Sequence, residues 1–530
     1  MNGREWISLI LLLLVSFAGS AYSAIKVAGI DQATLPPNAA GTKLLAKPIA
    51  AHFTGNLGGL QLPPVFSDNM VLQRKTPIPF WGIADANELV TVQLGNLIKN
   101  TKARTDGRWQ IIFPAQKATY SPLTIEIKTT KHTQLFKNVL IGDVWLCAGQ
   151  SNMYFPLKQS TGGDSIINLA DSSLPLRLFN FKQFAQTENR AWDSIELLKA
   201  NQLDFFSGQW QTNQKAEAAS FSAIGYVFGK KIMETEKIPV GMIEIAVGGS
   251  PLISWVSRKA LENNPLFAPA FQDWRNTDFL VPWCRSRADV NLQRAKNNFQ
   301  RHTYEPSYNF EAALKKIIPF PVKGVLWYQG ESDAENAGLF EQLFPLFVQD
   351  WRTQWDTNLP FYYVQLSGID RPAWNHFRDL QRRLLRAVPN TGMVVSSDCG
   401  DSLDVHYKNK IPVGERLSRL ALADTYKWPV TSGGPLFTSA VISNRKIIIS
   451  FQNANGLKTA DGKAIRGFEI LTHNGNFIKA DAVIQNNKII IPIPWGITPE
   501  KIAYAWQPFT RANLVNEDLL PASTFIETIK

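Results

Sequence analysis

A chain of 530 residues exceeds what one hydrophobic core accommodates and implies two to four domains. Hydrophobic residues at 45% and charged residues at 19% are ordinary globular values, which argues against long disorder. The net charge of +11 comes from Lys and Arg scattered along the chain without a dense basic run, so no nucleic-acid partner is expected.

At the N-terminus, residues 1–6 carry one Arg and one Glu, residues 7–18 are almost wholly apolar, and small residues follow through Ser23-Ala24. That order predicts a secretory signal peptide over 1–24 and export to the periplasm or the exterior. The apolar run is too short for a comfortable membrane span, and no later run is long enough for one. No Cys lies near the cleavage zone to carry a lipid. Cys147, Cys284 and Cys399 are too few for a disulfide framework and fit no metal-site spacing.

Residues 25–58, rich in Ala, Gly, Pro and Lys, read as a leader or linker. Residues 59–140 hold short alternating segments such as Val90-Thr91-Val92-Gln93-Leu94 and Leu123-Thr124-Ile125-Glu126-Ile127, with a turn at Thr105-Asp106-Gly107-Arg108. This predicts an N-terminal β-sandwich. From 141 to 428 the pattern changes to continuous apolar runs, at 144–148, 240–247, 322–328, 360–366 and 393–396, as expected for strands covered on both faces. Helical patterns lie between them at 222–237, 339–354 and 377–387. Alternation of this kind predicts an α/β domain around a mainly parallel sheet. The stretch 155–220 has weaker periodicity and reads as an insertion that shapes a substrate site. Residues 429–530 hold short strands and Asn-Gly or Asp-Gly turns, a C-terminal β-rich module.

Three apolar runs end in polar, glycine-containing turns: Gly149-Gln150-Ser151-Asn152, Gly248-Gly249-Ser250-Pro251 and Gln329-Gly330-Glu331-Ser332-Asp333. Singly, such turns only connect elements. Together they would converge at the carboxyl edge of one sheet, where α/β proteins place their sites. Ser151 is then a candidate nucleophile opening a helix. The Gly249 region and the Gln329 side chain are candidate donors to an oxyanion. A serine nucleophile needs a base. Of the six histidines, His52 falls in the leader, His132 and His473 in the β modules, and His302 in a charged stretch. His376 sits in an expected loop where it could contact substrate. His406, in Asp404-Val405-His406, lies late in the α/β domain with an acid two residues earlier that can reach the ring.

These motifs carry a resemblance. Cys147-Ala148-Gly149-Gln150-Ser151-Asn152-Met153, Trp327-Tyr328-Gln329-Gly330-Glu331-Ser332-Asp333 and Asp404-Val405-His406 with Lys408-Asn409-Lys410 resemble the sialate O-acetylesterase family, a branch of the SGNH (GDSL-like) hydrolases. So do Val65-Phe66-Ser67-Asp68-Asn69-Met70-Val71-Leu72-Gln73 and Phe221-Ser222-Ala223-Ile224-Gly225-Tyr226, together with Pro239 to Ile243 and Tyr504-Ala505-Trp506. The match spans about residues 60 to 525. It implies a three-layer α/β/α core flanked by the two β modules. It also implies Ser151 as nucleophile, His406 as base and Asp404 as its partner, with an oxyanion hole from Ser151, Gly249 and Gln329. No cofactor or metal is implied.

Many SGNH enzymes place the acid three residues before the His, where this chain has Leu403; Asp404, two before, is the arrangement usual in this branch, and Asp401 and Asp398 stand as alternatives. Tyr407 replaces a common Pro. The resemblance implies an O-acetylated sugar or glycan as substrate, sialic acid first and acetylated hemicellulose (xylan or xyloglucan) as the alternative. Asn152, Glu331, Trp374 and Arg378 are candidates for substrate contact. A non-catalytic carbohydrate-binding protein is the reading from another class, and the intact Ser/Asp/His set argues against it.

Overall fold

The computed structural model describes residues 59–530. The signal peptide and leader expected over 1–58 lie outside the described residues.

One strand organises the molecule. β1 (Thr133–Gly149) is 17 residues long, mostly exposed in its first third apart from Phe136 and unbroken in burial from Val139 onward. Its first half pairs antiparallel with Thr119–Lys128, and Leu140 to Gly142 pair parallel with Val71–Gln73. Its second half enters a central sheet with β2 (Leu176–Asn180), β3 (Trp210–Thr212), β4 (Val240–Ala246), β5 (Gly324–Tyr328), β6 (Phe361–Gln365) and β7 (Thr391–Val395), in the order β3-β2-β4-β1-β5-β6-β7. All neighbours pair parallel except the edge pair β3 and β2. The expected boundary at 140/141 therefore falls inside a strand. The switch there from alternating to continuous burial marks where β1 becomes covered on both faces, not where a domain ends. The segment 155–220 also differs from expectation, because it supplies β2 and β3 to the central sheet.

Helices cover both faces. After β1 comes α1 (Ser151–Tyr154), a single turn, and then α2 (Ala223–Glu236), α3 (Pro282–Asn291), α4 (Ala337–Trp355), α5 (Trp374–Ala387) and α6 (Ile411–Asp424). Ser222 starts α2 as an N-cap, its Oγ accepting from Gly225 N at 3.0 Å. On one face Trp145 meets Phe228 of α2 at 4.9 Å between ring centroids, and α6 packs beside α2. On the other, Trp327 and Phe361 meet Phe347 of α4 at 4.5 and 5.3 Å, and α5 packs beside α4. Each such buried aromatic contributes about 1.5–3 kcal/mol from its area and gives the sheet its three-layer shape.

The N-terminal strands form a sandwich. Ile78–Ile83 pairs with Arg108–Phe113, while Leu89–Leu94 lies between Leu97–Lys102 and Thr119–Lys128. Val90, Val92 and Leu94 point inward in strict alternation. The C-terminal strands form two four-stranded antiparallel sheets and one two-stranded pair, Lys458–Thr459 with Leu514–Val515, around Phe437, Ile447, Ile449, Phe468, Ile489, Ile491 and Phe525. Among the described residues no helix is long and apolar enough to cross a membrane.

Candidate active site

β4, β1 and β5 are adjacent, so the turns that follow them meet at the carboxyl edge of the sheet. They are also bonded to one another. Gln150 N donates to the Tyr328 carbonyl at 3.0 Å, Val247 N to the Gly149 carbonyl at 3.1 Å, and Gly330 N to Gln150 Oε1 at 3.3 Å. Gly149 has φ +138°, and a Cβ there would lie 2.1 Å from the Tyr328 carbonyl oxygen. Only glycine lets β1 turn this sharply into α1 against β5.

Ser151 stands just past that turn. Its Oγ lies 2.8 Å from His406 Nε2, across 255 residues of sequence. Burial lowers the proton affinity of His406, and Lys410, Arg287 and Arg371 lower it further, while Asp404 works against them. The net direction keeps the ring neutral near pH 7, in the form that accepts the Ser151 proton.

The acid shows a difference from expectation. Asp404 Oδ1 accepts from the backbone N of His406 at 2.8 Å, and the ring Nδ1 has no hydrogen-bond partner among the described residues. Asp404 thus shapes the loop and acts on the ring through its charge. Of the two alternatives, Asp398 is committed to Arg416 at 2.7 and 2.6 Å. Asp401 accepts from the amides of Leu403 and Asp404 at 2.8 and 3.1 Å. Both therefore brace the loop, and Asp404 is the carboxylate bonded to the His406 residue itself.

The amides of Ser151 and Gly249 make no hydrogen bond within the described residues. Gly249 has φ +70°, and a Cβ there would sit 2.3 Å from the Tyr304 hydroxyl oxygen and 3.2 Å from Arg287 Nη1, so this position also requires glycine. Gln329 departs from its expected part. Its Nε2 donates to the Asp333 carboxylate and, at 3.3 Å, to the Ser250 carbonyl, which commits both amide hydrogens. Because α1 is a single turn, little helix field adds to the Ser151 amide.

All four residues considered for substrate contact are buried. Asn152 and Glu331 are buried and bonded to each other at 2.5 Å. Trp374 is buried with its Nε1 donating to the Ser367 carbonyl at 2.9 Å. Arg378 is wholly buried beneath the C-terminal module, donating to Thr524 Oγ1 at 3.0 Å and to the carbonyls of Ala505, Gln507 and Pro508 at 3.0, 2.6 and 2.7 Å. Burial pushes its proton affinity down to about 9, and four acceptors compensate the cost of burying the cation. It clamps α5 to the C-terminal strands. These four were misread because polar type near a motif does not reveal which way a side chain faces.

His376 lies in the first turn of α5 and not in a loop, its ring 4.8 Å from Trp506. His302 is buried and stacked between Trp192 and Trp274 at 4.7 and 5.8 Å, with burial pushing its proton affinity down to about 3.

Residues that the sequence did not single out do reach the site. Arg287 of α3 lies beside Gly249, and Arg371 lies in the loop after β6. Both act electrostatically on His406, and neither forms an ion pair among the described residues. Lys410, which the sequence placed in the Lys408-Asn409-Lys410 motif without a role, is buried and donates to Asn152 Oδ1 at 2.5 Å.

Comparison with known proteins agrees with this architecture. A family profile described as carbohydrate esterase, sialic acid-specific acetylesterase matches residues 280–423, which include Gln329, Asp404 and His406. The sialate O-acetylesterase of Rattus norvegicus is 26% identical over 450 residues, covering 76% of this chain and 80% of that protein. The human enzyme of the same name is 25% identical over 414 residues, covering 71% and 73%. A carbohydrate acetylesterase structure from Xanthomonas citri superposes with a TM-score of 0.72 at 28% identity, covering 88% of this chain and 99% of that one. With a serine and a histidine in contact at the edge of a parallel sheet, the chain is similar to the sialate O-acetylesterases over most of its length and matches the sialic acid-specific carbohydrate esterase profile over residues 280–423.

Proposed function

We propose that this protein hydrolyses O-acetyl esters on sugars through Ser151, His406 and Asp404, and that its substrate class is the acetylated sialic acids. The contact between Ser151 Oγ and His406 Nε2 at 2.8 Å carries the catalytic reading. His406 takes the hydroxyl proton as Oγ attacks the acetyl carbonyl carbon. The carbonyl oxygen becomes an oxyanion between the amides of Ser151 and Gly249, each of which has a hydrogen to donate. Gln329 joins them when its amide leaves the Ser250 carbonyl. Collapse expels the sugar oxygen, which takes the proton from the imidazolium. Water, deprotonated by His406, then cleaves the acetyl-serine ester to acetate and restores the hydroxyl.

The sialate reading rests on Arg287 and Arg371. Two guanidinium groups near His406 without a carboxylate partner among the described residues suit the carboxylate of a sialic acid, and a neutral sugar has no use for them. Arg287→Ala is expected to raise KM for an O-acetylated sialoside about 10- to 100-fold, the loss of one charge-assisted contact. KM for p-nitrophenyl acetate should stay within about twofold. Parallel measurement of acetate release from acetylated xylan and xyloglucan gives the control. Wild-type preference for those polymers, with Arg287→Ala indifferent on sialosides, would overturn the sialate reading in favour of hemicellulose.

Export is proposed from the apolar run at 7–18 and the small residues after it. The mature protein in the periplasm or medium should begin near residue 25 by intact-mass measurement; a chain retaining residues 1–24 there contradicts this.

A further inference from the structure

Asn152 is the residue after the proposed nucleophile, and every hydrogen-bonding atom of its side chain is used. Its Nδ2 donates to Glu331 Oε1 at 2.5 Å and to the Val405 carbonyl at 3.0 Å, and its Oδ1 accepts from Lys410 Nζ at 2.5 Å. The chemistry of the partners fixes the amide's orientation, since an ammonium demands the oxygen and a carboxylate and a carbonyl demand the nitrogen. All three side chains are buried. The two bonds to the histidine loop bracket His406, one at the residue before it and one four residues after. Glu331 anchors the other end in the turn after β5, beside Gln329.

Further bonds brace the same loop. The Lys408 carbonyl accepts from Thr161 N at 2.9 Å and from Ser160 Oγ at 3.0 Å. The ammonium of Lys410 lies 3.3 Å from the centre of the Tyr407 ring and 4.9 Å from that of Phe155. Glu331, Asp404 and Cys399 face Lys410 electrostatically, and Lys410 in turn acts on His406.

We propose that Glu331, Asn152 and Lys410 form a buried strut that sets the distance between Ser151 and His406: they are positioning residues, acting on the rate through the histidine loop. A strut tied to the residue adjoining the nucleophile moves Ser151 and His406 as one body. Without it, the loop has one hydrogen bond from the Asn152 side chain fewer at each end of the His406 segment. The proposal rests on the Ser151–His406 reading above.

The test uses the full chain and two readouts. Capture of Ser151 by a fluorophosphonate depends on the hydroxyl being activated by His406 and needs no sugar. Hydrolysis of p-nitrophenyl acetate separates kcat from KM. Lys410→Met and Asn152→Leu are expected to slow capture and lower kcat about 10- to 100-fold, the scale of an ångström-sized misplacement. KM should stay within about twofold. Lys410→Met should also move the acid limb of kcat/KM upward, because a cation that lowers the His406 proton affinity is removed. If these variants do not fold, Glu331→Gln and Glu331→Leu replace them. Gln keeps the acceptor for Asn152 and should lose less kcat than Leu. Folded variants captured at the parental rate, a rise in KM with kcat unchanged, or equal kcat in the two Glu331 variants overturns the strut. A parent chain that is not captured at Ser151 overturns the nucleophile reading and the strut together.

Discussion

Ser151→Ala is expected to lower acetate release about 10⁴- to 10⁶-fold, the range seen when a serine nucleophile is removed and only transition-state binding remains. At about 1.4 kcal/mol per decade this is roughly 6–8 kcal/mol of barrier. The fold should not register the change. Ser151 is only half-buried, and its hydroxyl makes one side-chain contact, to His406. Truncation therefore strands no buried polar atom, and the melting temperature should move by no more than about 2 °C. Acetate release and a thermal melt on the same preparation check both halves. Near-normal turnover by a folded Ser151→Ala chain would remove the serine from the mechanism altogether.

The second large effect is at Asp404. Asp404→Asn keeps an oxygen to accept the His406 amide at 2.8 Å and removes only the charge, so the loop stays in place while the imidazolium loses its stabilising carboxylate. A fall in kcat of about 10²- to 10⁴-fold is expected. The pH profile gives the sign. The rate needs the neutral ring, and burial with Lys410, Arg287 and Arg371 already holds the His406 proton affinity below the ordinary histidine value of 6.5. The wild-type kcat/KM should therefore be flat above that pH and fall on acidification below it. Asp404 is the group that raises the proton affinity, so Asp404→Asn should carry the acid limb to still lower pH. Asp401→Asn and Asp398→Asn act on loop bracing alone. A loss at Asp398 or Asp401 that exceeds the loss at Asp404 would hand the role to another carboxylate.

The strut and the substrate cations are open to experiment for different reasons. Asn152 and Glu331 sit inside motifs, yet the chemistry they offer in the sequence, an amide and a carboxylate beside a nucleophile, suits substrate contact and internal bracing equally. Burial decides between them. Arg287 and Arg371 stand outside every motif, on α3 and in the loop after β6, and only the fold brings their charges to His406.

The chain's own sequence determined the parts set by short-range physics. Continuous apolar runs foretold β4 to β7 because strands packed beneath helices on both faces are predominantly apolar, with Glu244 in β4 and Gln365 in β6 as exceptions, and glycine-containing turns after β1, β4 and β5 located the edge where Ser151 stands. Helical periodicity foretold α2, α4 and α5. The sequence also narrowed six histidines to His406 by position along the chain. What it left undecided was every question about direction. Whether Arg378 points to substrate or into the seam with the C-terminal module, whether Asp404 holds the ring or the backbone of His406, and whether β1 ends a domain or joins two sheets all depend on partners far away in sequence. Only the tertiary structure settles such questions, because the cost of burying a charge or an amide depends on which acceptors the rest of the fold places within about 3 Å of it.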